Sequence, residues 1–389
     1  MPRRLTRAVV AFTATTALLL TATPSGATAE PRHVSGYGPW HARLLGEHVV
    51  GKDVVVDGTR VGELSSIDYD RRTGAYYLIA DDTELAPAHF YTVRMRVSGN
   101  GVSGVRFARS TWILRTDGTV FPALSGDGTE LADPESMRVD PRTRTLYWGS
   151  EGKREVAADG SAELVDPWVR QMTVGGRNLR QLATPENMRM TATEAGPRRN
   201  LVFEGLTLTA DGRQVVASAE GARYEDGPIA MTGHGAVNRL TWWDRRSGRA
   251  VRQLAYPLDA IPVAPEPPSA AADNGISEIL AVDRWRYLVV ERSFASGAGN
   301  SIRVYEVDTR GATNVLRRTS LSSGDYAPVR KRLVLDLGAV GLEHVDNIEG
   351  VTWGPRLPTG EHSLVFVSDD NFNDVQVTQL VTVAVRPSR

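Results

Sequence analysis

The sequence contains no cysteine, and beyond residue 29 it has no long hydrophobic run. A chain without cysteine forms no disulfide, no thiolate zinc site and no cysteine nucleophile. No later run reaches the ~20 apolar residues that a membrane-spanning helix requires. The charges are nearly balanced, with 45 Lys and Arg against 46 Asp and Glu, and no dense basic cluster occurs. We therefore expect neither a membrane span nor a nucleic-acid partner.

Signature motifs of several enzyme classes are also missing. The sequence has no GxSxG motif and no P-loop, and its seven histidines form no HxH or HExxH arrangement. Carboxylates are therefore the ligands available for a metal, and such oxygen-rich sites favour hard cations, Ca²⁺ first and Mg²⁺ second. The acids are spread along the chain, so they do not form an EF-hand loop.

The abundant residue types favour a large fold with many turns. The 389 residues include 37 Gly and 21 Pro, and 41% of the chain is hydrophobic. Many glycines and prolines suit a chain with many turns, and this hydrophobic content excludes disorder as the main state. Length alone leaves open two or three domains or one large all-β domain.

The first 29 residues have the parts of a secretory signal peptide in the correct order. Arg3, Arg4 and Arg7 form a positive region, residues 8–22 are rich in Ala, Thr and Leu, and small residues at 27–29 form a cleavage site. We predict that residues 1–29 are removed, that residues 30–389 form one domain, and that the protein is secreted. The general and the twin-arginine export routes both stay open.

A fivefold repeat organises the rest of the chain. Each unit begins with a glutamate and a short alternating strand, passes a polar turn, and ends its second strand with an acid. The leading glutamates recur every 69 to 74 residues, at Glu63, Glu135, Glu204, Glu278 and Glu349. Further strand-like runs follow, and four antiparallel strands per unit, stacked around an axis, form a propeller blade.

The repeat predicts a single all-β domain, a β-propeller with five blades. Six blades stay possible if the N-terminal region or a long insertion forms another blade. The last unit has only one further long strand, predicted at residues 375–385. A strand within residues 48–61 would supply its fourth strand, so the N- and C-terminal strands would pair and close the ring.

The leading and trailing acids of each hairpin are expected to surround one mouth of the channel, because antiparallel strands place them side by side. Such close carboxylates need a bound cation, neighbouring Arg or Lys, or protons. The predicted metal ligands are Glu63, Asp81, Glu135, Glu151, Glu204, Glu220, Glu278, Glu291, Glu349, Asp369 and Asp370. Long loops fall on the same side, where binding and chemistry usually occur. A ring of ion pairs that only holds the blades together is the structural alternative.

Four short motifs carry a resemblance to a known family. They are EGLTLTADG at 204–212, VVER at 289–292, NIEGVTWGP at 347–355 and VSDDNF at 367–372. Over residues 64–380 the chain resembles the phytase-like family, whose members are described by an esterase-like activity. The resemblance implies an exported β-propeller with phosphoesterase or esterase activity, by similarity to the calcium-dependent propeller phytases. The calcium ligands of those phytases have no counterparts that can be matched residue by residue.

We assign catalytic roles to three residues that are expected to meet at one sector of the mouth. Glu349 and Asp369 are predicted to hold the metal and activate water, and Arg292 to receive the phosphate. Arg223, Lys153 and Asn371 are predicted, with Arg292, to bind the substrate. Guanidinium and ammonium groups are the usual partners of phosphate oxygens.

Two functions of different classes follow from this sequence. The first is a metal-dependent hydrolase, acting as a monomer on a small phosphorylated or ester substrate. The second is a non-catalytic extracellular propeller that binds a ligand or a protein through the same face. Turnover of a generic aryl phosphate would separate them.

Overall fold

The structure, a computed structural model, describes residues 40–124 and 130–386. The predicted signal peptide at residues 1–29 lies outside these residues. The described chain is almost entirely β, apart from three single-turn 3₁₀ helices at Glu186–Met188, Tyr224–Asp226 and Leu337–Ala339. In this part of the chain, no helix has the length and apolar character of a membrane span.

The described residues form twenty-four strands. In chain order they are β1 (His41–Val49), β2 (Val55–Val56), β3 (Thr59–Arg60), β4 (Leu64–Asp70), β5 (Ala75–Ala80), β6 (His89–Ser98), β7 (Gly101–Trp112), β8 (Pro134–Asp140), β9 (Thr145–Ser150), β10 (Lys153–Val156), β11 (Ala162–Val165), β12 (Trp168–Thr173), β13 (Asn178–Gln181), β14 (Phe203–Leu208), β15 (Gln214–Ala219), β16 (Ala236–Asp244), β17 (Ala250–Leu258), β18 (Ala272–Ala281), β19 (Arg286–Ala295), β20 (Gly299–Asp308), β21 (Arg330–Asp336), β22 (Asn347–Trp353), β23 (His362–Asp369) and β24 (Gln379–Arg386).

Five four-stranded antiparallel sheets form the blades of a β-propeller. Blades 1 to 5 are β4–β7, then β8, β9, β12 and β13, then β14–β17, then β18–β21, and finally β22, β23, β24 and β1. The first strand of each blade is innermost, and β4, β8, β14, β18 and β22 contact one another in a closed ring. The prediction of a single five-bladed propeller is therefore confirmed. The hairpins β2–β3 and β10–β11 are small additions outside the blades.

The ring closes between the two ends of the chain, as predicted, but with a different N-terminal strand. Strand β1 pairs with β24 from His41 opposite Arg386 to Val49 opposite Gln379. The predicted location within residues 48–61 is wrong, because that segment holds only the end of β1 and then the β2–β3 hairpin. Strand β1 is an outer edge strand that buries neither face completely, so its sequence lacks the hydrophobic alternation of the inner strands.

The main part of the hydrophobic core is divided into five layers, one between each pair of adjacent blades. Trp148 and Phe90 pack in the layer between blades 1 and 2, and Trp242 and Leu240 in the layer between blades 3 and 4. Successive side chains of a strand point to opposite faces of its sheet, so each blade contributes to the two layers that flank it. Each layer thus holds two neighbouring blades together, and the ring has no uncovered blade face among the described residues.

A buried ion pair joins all five inner strands across the channel. Arg138 on β8 lies 2.7 Å from Glu278 on β18, and the two side chains are 3% and 1% exposed. Glu278 also accepts hydrogen bonds from the Leu206 amide on β14 and the Ser66 hydroxyl on β4, each at 2.9 Å. The Arg138 guanidinium donates to the Val351 carbonyl on β22 at 2.9 Å. The pair therefore stabilises the packing of the ring from inside.

Candidate functional site

A β-bulge in the first strand of every blade shapes one mouth of the channel. The pairing of each inner strand with its neighbour shifts register at the same place, for example between Pro134 and Ser136 and between Ile348 and Gly350. A bulge leaves an extra residue unpaired and redirects its side chain. The residues at the five bulges are Ser65, Glu135, Glu204, Ser277 and Glu349.

The second strand of each blade contributes one residue at the same level. These residues are Asp81, Glu151, Glu220, Arg292 and Asp369. The backbone pairing explains their position, since the Glu151 amide donates to the Asp133 carbonyl and the Glu220 amide to the Val202 carbonyl. The mouth therefore combines seven acids and one arginine from the ten equivalent positions of the five blades.

These side chains line a cavity of about 1100 Å³ at the channel mouth. The acids that line it are Asp81, Glu135, Glu151, Glu204, Glu220, Asp273, Glu343, Asp346, Glu349 and Asp369. Among the described lining residues, Arg292 carries the one guanidinium group and no lysine is present. The cavity is strongly negative whenever these acids are ionised, so it favours cations over free anions.

Five carboxylates on blades 2 and 3 form two overlapping groups suited to a metal ion. Asp133, Glu135 and Glu151 each offer an oxygen within 4.8 Å of the others, and Glu151, Glu204 and Glu220 do the same. Glu151 belongs to both groups. An all-carboxylate donor set is the chemistry that Ca²⁺ and Mg²⁺ prefer, so these residues fit a hard divalent cation.

The carboxyls of these groups have raised pKa values because they are buried beside one another. Burial, and then the charge of Glu204, raise the pKa of Glu135 well above its usual range. Burial raises the pKa of Glu220 to about 7, although the Arg292 guanidinium opposes the shift. Burial likewise raises the pKa of Asp133 to about 7. A divalent cation would remove this repulsion, as protons do in its absence.

Arg292 lies between two of the acids and binds both. Its guanidinium donates to Glu220 Oε1 at 2.8 Å, and its Nε lies 3.4 Å from Glu349 Oε1. Burial disfavours the charged form, but Glu349 and Glu220 outweigh it, so the pKa of Arg292 is raised above its ordinary value. Its Nε makes no hydrogen bond within the described residues and has Glu349 as its charged neighbour.

Asn347 holds the two predicted catalytic acids in place. Its side-chain amide donates to Glu349 Oε1 at 2.9 Å and to Asp369 Oδ2 at 3.4 Å, and its carbonyl oxygen accepts from Arg292 at 3.1 Å. Burial, followed by the charge of Glu349, raises the pKa of Asp369 to about 8. The structure therefore brings Glu349, Asp369 and Arg292 together at one sector of the mouth, as their predicted roles require.

Four of the predicted acids do not line this cavity, and two of these, Glu278 and Glu291, each form an ion pair with a basic side chain. Glu278 is part of the ion pair with Arg138 inside the channel. Glu291 forms an ion pair with Lys331 and accepts a hydrogen bond from the Tyr256 hydroxyl at 2.6 Å. Successive residues of a strand face opposite sides, so the cavity receives Arg292 and not its neighbour Glu291.

Glu63 and Asp370 form a separate contact between blades 1 and 5. The Glu63 amide donates to Asp370 Oδ1 at 3.0 Å, and neither residue lines the acidic cavity. Burial, Asp82 and Asp370 raise the pKa of the Glu63 carboxyl to about 7. The bulge of blade 1 carries Ser65 instead, two residues after Glu63.

The predicted substrate-binding residues are divided between different parts of the surface. Asn371 lines the acidic cavity with Arg292. Lys153 belongs to the β10–β11 hairpin, where its ammonium lies 2.7 Å from Glu163. Arg223 lines another cavity and lies 2.9 Å from Glu225. The expectation that Lys153 and Arg223 reach the channel mouth is not met.

Sequence reasoning missed four acids at the site, Glu343 and three that lie close to a strand start. Asp133 precedes Glu135 by two positions, Asp273 lies at the start of β18, and Asp346 immediately precedes β22. Each lies just before the repeated glutamate position, where no fixed pattern of sequence recurs. A search for acids on both sides of each strand start would have found all three.

These observations define a five-bladed propeller with a carboxylate-lined site at one channel mouth. The chain belongs to the phytase-like family: the family model described as esterase-like activity of phytase matches residues 59–372. The match includes all five inner strands and confirms the resemblance carried by the four motifs. A comparison with curated proteins gave no match.

The chain is similar, at low sequence identity, to several solved structures. The periplasmic gluconolactonase PpgL of Pseudomonas aeruginosa is 13% identical, covers 90% of this chain and 99% of its own, and has a TM-score of 0.34. Hydrazine synthase of Kuenenia stuttgartiensis is 14% identical, with coverages of 86% and 99% and a TM-score of 0.34. The GH43 β-1,3-galactosidase BT3683 is 9% identical, with coverages of 87% and 95% and a TM-score of 0.42. Their different activities identify no function for this chain.

Proposed function

We propose that the protein is a metal-dependent hydrolase of phosphate or carboxylic esters, with the acidic cavity as its active site. The observation that carries this proposal is the pair of carboxylate groups sharing Glu151 on blades 2 and 3. The oxygens within each group are close enough to bind one cation. Membership of a family described by esterase-like activity supports the reaction class.

Calcium is the first choice of cation and magnesium the second, because all the donors are carboxylates. Asp133, Glu135, Glu151, Glu204 and Glu220 would hold it. A bound divalent cation polarises the ester oxygen and lowers the pKa of a bound water. Ionised acids alone would repel a phosphate ester, so the proposal requires the cation for substrate binding as well as for catalysis.

Three residues of blades 4 and 5 would act on the water and the ester. Asp369 has a raised pKa, which makes its carboxylate a stronger base than an ordinary aspartate, so it can accept a proton from the attacking water. Glu349, fixed by Asn347, orients that water. Arg292, which lies beside Glu349, would donate to an oxygen of the ester.

The test is turnover of an aryl phosphate and an aryl acetate by protein freed of metal and then given calcium. We expect calcium-dependent hydrolysis of at least one ester. Glu349→Gln and Arg292→Ala should each lower kcat by about 10²–10³ with the fold intact. Arg213→Ala, which changes an exposed arginine outside the cavity, is the matched control.

The outcome also separates the proposal from its alternatives. Calcium binding without turnover of either ester would leave a propeller that binds a ligand or protein through this face. Absence of calcium binding, with stability lost in both variants, would indicate a structural ring of ion pairs.

We further propose that the protein is exported and acts as a monomer on a small substrate. The support is the order of the charged, apolar and small-residue segments in residues 1–29. N-terminal sequencing of the protein recovered outside the producing cell should begin at Glu30. Light scattering should give the mass of one chain.

A further inference from the structure

A second cavity of about 620 Å³ shares no lining residue with the acidic one. One wall is formed by residues 183–196, which include the 3₁₀ helix Glu186–Met188. The other wall includes residues 316–319, which belong to the long connection between β20 and β21. Its volume lies in the range of small-molecule binding sites.

The lining of this second cavity is positively charged. Its arginines are Arg189, Arg223, Arg249, Arg317 and Arg318, and its acids are Glu186 and Glu225. Glu186 pairs with Arg189 at 3.2 Å and Glu225 pairs with Arg223 at 2.9 Å. Within the described residues, Arg249, Arg317 and Arg318 form no ion pair, so three positive charges remain without a counter-ion.

The two walls are fixed to each other by buried polar contacts. The Asn187 amide donates to the Gln253 side chain at 2.7 Å and to the Leu316 carbonyl at 3.2 Å. Arg239 donates to the carbonyls of Val315 at 3.2 Å and Arg318 at 3.1 Å. These bonds fix the backbone of residues 315–318. The side chains of Arg317 and Arg318 therefore extend from an ordered backbone, which lowers the conformational entropy lost when a ligand binds.

A buried arginine beside this cavity has an incomplete set of partners. The Arg223 side chain is 4% exposed, and its Nε has no hydrogen-bond partner in the described chain. The nearby Asp226 cannot supply one readily, since Arg239 occupies both of its carboxylate oxygens at 2.6 and 2.8 Å. A buried donor left without an acceptor is costly, so a ligand oxygen here would be stabilising.

We propose that this cavity binds a small organic anion with at least two acidic groups. Guanidinium groups bind carboxylate, phosphate and sulfonate oxygens in bidentate fashion, and three unpaired ones favour a ligand of more than one charge. Ala183, Pro185 and Leu316 provide apolar contacts for the body of the ligand. The proposal is independent of the function proposed for the acidic cavity.

The experiment measures binding of a naphthalene disulfonate to the metal-free full chain by calorimetry. Arg317→Ala and Arg249→Ala should each weaken binding at least tenfold, because each removes a charge-assisted hydrogen bond. Arg246→Ala changes an exposed arginine of the same turn as Arg249 that does not line the cavity, and should leave the affinity unchanged. Thermal midpoints should stay within a few degrees, since the substituted side chains are exposed.

A neutral naphthalene diol has the apolar body of the proposed ligand without its charges, and inorganic phosphate has the charges without the apolar body. Both should bind at least tenfold more weakly than the disulfonate. Equal loss of affinity in Arg246→Ala would mean unspecific attraction and would overturn the proposal. So would an unchanged affinity in Arg317→Ala and Arg249→Ala, or the absence of binding.

Discussion

Individual carboxyls of the acidic cavity are held at pKa values far from those of free side chains. Burial is the largest cause for Glu220, Asp369, Glu135 and Glu151, and the charges of neighbouring acids add to it. Burial is also the largest cause for the adjacent Asp133. In the folded, metal-free protein these groups therefore keep protons that the unfolded chain loses. The protonated form is the one that stabilises the fold.

We predict that the metal-free protein is more stable at pH 5 than at pH 8.5. The folded pKa values of about 7 for Glu220 and about 8 for Asp369 lie above the unfolded ones, so their contribution is complete below about pH 4 and is lost as the pH rises through 7–8. Chemical denaturation at the two pH values measures the difference. Saturating calcium should reduce this difference in stability, because calcium binds the ionised carboxylates. A free energy of unfolding that rises over this interval would contradict the prediction.

The Arg138–Glu278 ion pair is expected to stabilise the fold and to take no part in catalysis. Arg138→Met leaves Glu278 buried without its cation and should lower the free energy of unfolding by about 3–5 kcal/mol at pH 8. Glu278→Gln in the same chain should recover part of the loss, since it removes the unpaired charge. A double variant as unstable as the single one would show that packing, and not charge, is decisive.

Among the elements, the N-terminal strand β1 is the one that closes the ring. It covers the edge of β24 in blade 5, and Trp40 beside it packs in the layer between blades 4 and 5. An uncovered edge strand offers its backbone groups to other chains.

Deleting residues 40–49 should destabilise the whole propeller cooperatively and cause aggregation. The expected result is one unfolding transition at a much lower temperature, because blade 5 loses its outer strand. Shortening the exposed turn at residues 157–161 of the β10–β11 hairpin is the control, and should leave the thermal midpoint nearly unchanged. Two separate transitions after the deletion would contradict closure of a single ring.

At the scale of the whole molecule, the acidic cavity lies where five blades meet, so binding there should stabilise the entire ring. A ligand that binds only the folded state adds about 2.7 kcal/mol at a hundred times its Kd. We predict that calcium raises the Tm progressively with concentration.

Glu204→Gln provides the matched test of that prediction. It should raise the Tm of the metal-free protein at pH 8, because it removes a buried carboxylate beside Glu151 and Glu220, and it should reduce the calcium-dependent rise. Glu186→Gln changes an acid that is 89% exposed outside this cavity and should alter neither value. A calcium response that survives in Glu204→Gln would place the ion elsewhere.

The sequence by itself determined the five-bladed architecture and the polar face. The signals are alternation along each strand, turn residues and a repeat near 70 residues. They can be recognised in the sequence without knowledge of long-range contacts. The placement of acids at strand starts and ends was enough to predict Glu135, Glu204 and Glu349 with Glu151, Glu220 and Asp369.

Only the tertiary structure decided the register within each blade and the partner of each charge. Glu63 and Glu278 match the repeat, but the bulges select Ser65 and Ser277, and a shift of one residue turns Glu291 away and Arg292 in. Arg138, which neutralises Glu278, comes from another blade, far along the chain. Such pairings depend on how the blades pack around the axis, which no local sequence pattern predicts.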